Sequence, residues 1–248
     1  LALFLCFIPG VEAAAEAAAD LAKPPAGARH YLILSSGGKH GDSWAWTDAD
    51  GTRRGRESLN LRGQVWEVDF VGKPGADGNP VSAVIRGVTP TGDAAETFTA
   101  AYGKASWKSP VDSGEASTGA FYATFGGPMD TSAWLVERLL ASPDQTLALL
   151  PGGKARAEKL TDIEVGKGKV AQTVSLWAVH GLSGSPLPVW ADAEGKFFAM
   201  TLGLDWIPAP YAADKQKLED AQQAAMAAQM PALRKKLMKT PAGAVAFK

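Results

Sequence analysis

Cysteine occurs once in the 248 residues, at Cys6, and histidine three times, at His30, His40 and His180. A single thiol excludes a disulfide framework and a thiolate zinc site. Histidines ten and 140 positions apart leave little material for a histidine-rich catalytic metal centre. Charge of one sign is lacking too: 25 Lys and Arg stand against 26 Asp and Glu, a net charge of −1 with no basic cluster. That balance argues against nucleic acid as the main partner. The apolar run Leu1–Ile8 is too short to span a bilayer, which takes about 20 residues.

What remains is ordinary globular material, 46% hydrophobic and 21% charged. A chain of this length buries roughly 70% of the surface its unfolded form exposes, so one large domain or two small ones are allowed. Leu1–Ile8 (LALFLCFI), then Pro9-Gly10 and an alanine-rich stretch, reads as the apolar part of a secretory signal peptide over residues 1–20. Ala13-Ala14-Ala15 or Ala17-Ala18-Ala19 would suit the peptidase. The alternative is an N-terminal hydrophobic helix of the mature fold. Export places the protein in the periplasm or outside the cell, with no integral membrane span in the mature chain.

Residues 28–205 read as an antiparallel β domain. Alternation puts Trp44 and Trp46 on one strand face, and Trp66, Val68 and Phe70 on another, with Glu67 and Asp69 on the wet side. Gly75–Pro80, Gly103, Gly166–Gly168 and Ala193–Gly195 mark turns. Phe121–Phe125 reads as a strand. A short amphipathic helix follows over Ser132–Ala141, with Asp130 as its N-cap and Ser142-Pro143 as its stop. No helices alternate with the strands, so a parallel sheet is disfavoured. The expected class is mainly β (α+β): a curved sheet or open barrel of about ten antiparallel strands with one inserted helix, followed by a C-terminal Ala-rich helix. That last segment, 211–239, is a helical linker carrying a stripe of Leu218, Ala221, Ala225 and Ala228, and Pro231 should split it into two pieces. Ala244–Lys248 reads as the first strand of a further domain.

The aromatics Trp44, Trp46, Trp66, Phe70, Trp177 and Trp190 either fill the core of the sheet or line a concave face holding an apolar ligand. Catalytic signals are weak. Gly181-Leu182-Ser183-Gly184-Ser185 approaches a nucleophile elbow, but ends in Ser and precedes a strand. Gly152-Gly153-Lys154 and Ser36-Gly37-Gly38-Lys39 lack phosphate-loop spacing. His40-Gly41-Asp42 reads as a solvated turn, His180 as a rim residue, and no pair among Glu67, Asp69, Glu158 and Glu164 is singled out.

Several strings carry a resemblance: Tyr31–Gly37, Asp48–Gly51, Phe121-Tyr122, Leu147–Ala155, Leu187–Trp190, Phe197–Ala199 and Pro241–Phe247. Over 28–248 the chain resembles the N-terminal extension of exported bacterial amidohydrolase-family proteins. The resemblance implies a downstream (β/α)₈ barrel holding a divalent, zinc-like metal on a His-x-His strand, with Ala244 opening a small flanking sandwich. The sequence contains no His-x-His, so no metal ligand is carried onto it and no cofactor is expected in it.

Three expectations follow. The chain is a non-catalytic accessory domain of a secreted metal-dependent amidohydrolase, its partner being the barrel of the same polypeptide. Alternatively it is a free-standing periplasmic β module that binds lipid or another apolar ligand, similar to lipoprotein-carrier half-barrels. A third is an interaction module that docks or forms a homo-oligomer through the Ala-rich helix. The first predicts a His-x-His strand in the reading frame soon after Lys248. Sequencing that frame checks it, and a stop codon directly after Lys248 overturns it.

Overall fold

A computed structural model of the chain describes residues 20–237, with side chains through residue 229 and at 231. The expected leader and the strand at 244–248 fall outside the described residues. Among the described residues the fold is mainly β, a large curved and unclosed sheet, antiparallel but for one short pairing, with two α-helices. Sixteen strands join it rather than about ten.

The first meander contains β1 (Arg29–Ser35), β2 (Gly38–Thr47), β3 (Arg53–Leu61), β4 (Gln64–Pro74) and β5 (Pro80–Thr89). It continues through β6 (Gly92–Asp93), β7 (Glu96–Ala101), β8 (Lys104–Lys108) and β9 (Ser113–Ser117). The second begins with β10 (Phe121–Tyr122), which pairs in parallel with β11 (Thr146–Leu150), and continues antiparallel through β12 (Lys154–Val165) and β13 (Gln172–His180). It ends with β14 (Leu187–Ala191), β15 (Phe197–Thr201) and β16 (Asp205–Pro208). Antiparallel pairing of β16 with β1, at Tyr31–Pro208 and Ile33–Trp206, joins the two meanders into one path running from β10 to β9.

Those two terminal strands are separated in sequence by residues 118–120 alone, so the sheet curls back toward itself. Side chains span the gap. Phe98 of β7 stacks on Tyr122 of β10 with centroids 4.4 Å apart, and Trp107 of β8 lies 6.1 Å from the same ring. The buried Glu96 carboxylate accepts from Tyr122 Oη at 2.8 Å, Phe125 N at 2.9 Å and Gly126 N at 3.1 Å. Phe121–Phe125 is therefore a strand only at its first two residues. Ala123 N still donates to Leu150 O of β11 at 3.0 Å, and beyond it the chain leaves the sheet, with Glu96 capturing the amides of Phe125 and Gly126.

Helix α1 (Met129–Leu140) packs against the inner face, with nine of its twelve residues buried. Ala133, Trp134, Val136 and Leu139 share one cluster with Val68, Phe70, Phe98, Leu147, Val179 and Phe197 from both meanders. Gly55 and Gly72 let it approach. A Cβ on Gly55 would lie 2.8 Å from Pro128 Cγ, and one on Gly72 would lie 2.6 Å from the Trp134 ring. The expected cap differs: Pro128 holds the N-cap position with no side-chain cap bond. Asp130 turns instead to Arg53 of β3, whose Nη2 reaches Asp130 Oδ1 at 2.8 Å and whose Nη1 reaches Glu137 Oε2 at 2.7 Å. An ion pair in the interior outcompetes an amide cap at the helix end.

A second layer covers the outer face. After a 3₁₀ turn at Ala209–Asp214, helix α2 (Lys215–Leu237) seals Leu218, Ala221 and Ala225 over Val174, Leu176, Trp190 and Ile207. Lys215 Nζ meets Asp205 at 3.0 Å, and Gln222 Nε2 donates to Thr201 O at 2.7 Å. Pro231 lies inside a continuous helix and does not split it. A proline deletes one helical amide bond, and alanine-rich flanks carry the helix past it. Asp69 is also not on a wet face. It is fully buried under the N-terminal segment, where Ala22 N donates to Oδ2 at 2.9 Å and Arg86 pairs with it.

Replacing Arg53 by Met should leave the buried Asp130 and Glu137 carboxylates with only the longer Arg29 and Lys196 contacts and destabilise the fold by up to about 3–5 kcal/mol. Urea denaturation of the variant measures this, and a loss below about 1 kcal/mol would contradict the role given to the pair.

Candidate functional site

Strand β3 runs from the ion cluster at one end of the sheet to a recess at the other. Its inward residues are Arg53, Gly55, Glu57 and Leu59, paired with Gly72, Phe70, Val68 and Trp66 of β4. Helix α1 covers the first half of this row. Beyond Met129 the inner face opens into a recess of about 510 Å³. Leu59, Trp66, Leu204, Trp206 and Thr89–Thr91 line it, together with the arch of Phe125–Gly127 that leads into α1. Phe125 is 63% exposed. Gly127 adopts φ +101°, and a Cβ there would lie 2.9 Å from both Ile85 Cδ1 and Thr131 Cγ2. Glycine is thus needed for the loop to turn down into α1.

Among the described residues Glu57 is the charged one that lines the recess, and it is 6% exposed. Its Oε2 accepts from Trp206 Nε1 at 2.9 Å and Met129 N at 3.1 Å, and the Ser43 hydroxyl also bonds to it. Burial pushes its pKa above the usual glutamate value, although these donors and Arg56 pull it down. A mostly apolar concavity with one perturbed carboxyl has the make-up of a ligand pocket.

The opposite end is built for holding rather than reacting. Arg53 lies between Asp130 and Glu137 with its guanidinium 5.4 Å from the Trp134 ring. Arg29 adds weaker contacts at 3.7–3.8 Å, and Phe197 N donates to Glu137 at 3.2 Å. The Arg53 guanidinium is spent on α1, while Arg29 also donates to Phe197 O at 3.5 Å. Tyr31, close by, has its hydroxyl pushed up to about 12, chiefly by burial.

The six aromatics singled out from the sequence fall into three groups. Trp66 lines the recess, Phe70 lies in the core beneath α1, and Trp177 packs against that same core. Trp190 is fully buried in the outer cluster under α2. Trp44 and Trp46 share a face, as alternation requires, but it is the one opposite Ala45 of the inner core, and Trp44 stacks on His30 at 5.3 Å. The histidines are dispersed. His30 bonds Asp42 at 2.6 Å, His40 bonds Ser35 at 2.6 Å, and His180 lies 3.5 Å from Glu158. Among the described residues no group of three or more His, Cys, Asp or Glu converges. Ser183 donates to Ser185 O at 2.6 Å in an exposed loop.

Sequence reading missed Glu57, Leu59, Phe125 and Trp206. The available signal was Phe125-Gly126-Gly127-Pro128 before a helix, a loop with the makings of an arch.

No protein-family model matches the chain, and no curated protein matches it. Among solved structures it is similar to a DUF1089 family protein from Pseudomonas aeruginosa, at 15% identity and a TM-score of 0.39. That match covers 73% of this chain and 97% of the other. A likeness at this level transfers no function.

The raised pKa of Glu57 gives a signed pH dependence. The folded state binds the Glu57 proton more tightly than the unfolded chain, so stability from this group is full below the unfolded glutamate pKa. It is lost as pH rises through the folded value. Glu57→Gln should flatten this decline, seen by comparing thermal melts of both proteins from pH 4 upward. Equal slopes would refute it.

Proposed function

We propose that this chain is a non-catalytic β module that holds a small apolar ligand in the recess above Glu57. The observation that carries this reading is the recess itself: about 510 Å³, walled by Leu59, Trp66, Leu204, Trp206 and Phe125. Its volume lies within the range of small-molecule pockets, about 300–1,000 Å³. The scaffold suits binding. The sheet and α1 are locked by the Arg53 cluster, while the mouth is framed by turns and one glycine-hinged arch, where ligand contacts are usually placed. A periplasmic or extracellular location accompanies this reading through the apolar leader at Leu1–Ile8.

The second reading, an accessory domain of an exported amidohydrolase-family protein, is supported by the resemblance strings. Phe121-Tyr122, Leu147–Leu150, Leu187–Trp190 and Phe197–Ala199 lie in strands β10, β11, β14 and β15. The resemblance therefore rests on residues that build the scaffold. On this reading the divalent metal belongs to a downstream barrel, and the β module presents its recess alongside that barrel. The two readings are compatible, since an accessory domain with a pocket can collect or retain an apolar substrate.

Titration with n-decanol should quench or shift the emission of Trp66 and Trp206 in a saturable, one-to-one manner. Leu204→Ser and Phe125→Ser each remove apolar wall and should weaken binding by about tenfold, at 1.4 kcal/mol per decade. Non-saturable emission changes, or identical affinities in the wall variants, would overturn the reading.

A further inference from the structure

The composition of the recess points to more than apolarity. Among the described residues Glu57 is the one charged residue that lines it, and no lysine, arginine or histidine among them does. Three aromatic side chains, Trp66, Trp206 and Phe125, stand around the same space. Ring faces are electron-rich and attract cations, most strongly when water is excluded. A buried carboxylate in a recess lined by three aromatic side chains is therefore matched by an organic ammonium. It is mismatched by an acid, whose carboxylate would meet Glu57 with no basic group to offset the repulsion.

The surroundings of Glu57 agree. Its own strand supplies Arg56, which is occupied by Glu67 and by the main-chain oxygens of Glu57 and Val68. Helix α1 supplies Met129 N, and the next residue, Asp130, is bound to Arg53. Strands β2, β4 and β16 supply Ser43, Val68 and Trp206, none of them charged. Glu96 of β7 is a second buried carboxylate, holding the amides of Phe125 and Gly126 in the arch. Negative charge thus stands at the floor and behind the arch, and the nearby cation is already paired.

We infer that the recess selects amphiphilic amines, taking the alkyl or aryl body against Leu59, Leu204 and the indoles and the ammonium group onto the Glu57 carboxylate. This inference rests on the ligand-binding reading proposed above and specifies its ligand class. Glu57 is then the specificity-determining residue. Bound ammonium favours ionised Glu57, so binding displaces the Glu57 proton. Affinity for an amine rises with pH through the titration of Glu57, while the amine, with a pKa near that of lysine, about 10.4, stays charged.

The test compares n-decylamine, n-decanol and decanoate, all below their micelle-forming concentrations, on the full 248-residue chain by calorimetry. The amine is expected to bind at least about tenfold more tightly than the alcohol, with decanoate weakest, and its affinity to climb with pH. Glu57→Gln should bring amine and alcohol to equal affinity and abolish the climb. Equal affinities for all three in the wild-type protein, or tighter binding of decanoate, would overturn the inference and leave the apolar-ligand reading standing. Absence of binding by all three would overturn both. The wild-type comparison does not depend on the variant folding.

Discussion

The guanidinium of Arg53 is the contact on which the rest of the structure depends. It binds two carboxylates of α1, Asp130 and Glu137, spaced two turns apart on the helix. Arginine suits this because its planar fork presents several donors in fixed directions and stays charged when buried. A buried ion pair adds little net stability once desolvation is counted, and it is better understood as fixing position. It sets where along the sheet α1 lies. That placement brings Met129 N to Glu57 at 3.1 Å and so shapes the floor of the recess at the other end of β3.

The sheet provides the frame. Two meanders built almost entirely from short hairpins are joined into a single surface by the long-range seam of β16 on β1, and β10 is added at the end by a short parallel pairing with β11 across α1. Curling leaves β9 and β10 close but unpaired, and the open edge is managed with side chains. Phe98 stacks on Tyr122 across it, Trp107 lies tilted against the same ring, and Glu96 binds the amides of Phe125 and Gly126. An edge treated in this way offers less template for pairing with another chain. The same Glu96 holds the arch over the recess, so the closure of the sheet and the mouth of the candidate site share one carboxylate.

Strands with clean alternation were legible from the sequence: β4 through Trp66, Val68 and Phe70, β12 and β13 around their glycine turn, β7 and β8 around Gly103. Strand β3, RRGRESLNL, was not, because its inward positions are Arg53, Gly55, Glu57 and Leu59. Hydrophobic periodicity finds strands that bury hydrocarbon, and β3 buries charge and makes room for a helix. It carries both the anchor of the fold and the carboxyl of the candidate site. Asp69 and Asp130 went astray for a related reason. Each has the sequence context of a solvated or capping residue, and each is buried by a partner distant in sequence, Arg86 with Ala22 or Arg53.

The sequence by itself determined the class: period-two strands, glycine and Asx turns, one short amphipathic helix and a long alanine-rich one. These are local properties, set by backbone preference and by which neighbours share a face. It also determined that Trp44 and Trp46 lie together, and that Trp66 and Phe70 do. Only the tertiary structure decided which face was inward, because alternation pairs side chains without saying which side of the sheet the core occupies. It likewise decided the candidate site. Glu57, Trp66, Phe125 and Trp206 come from separate segments, with Glu57 and Trp206 149 positions apart, and meet because the β16–β1 seam curls the sheet around α1. Burial and the shift it imposes on a carboxyl belong to that convergence, and no stretch of sequence contains it.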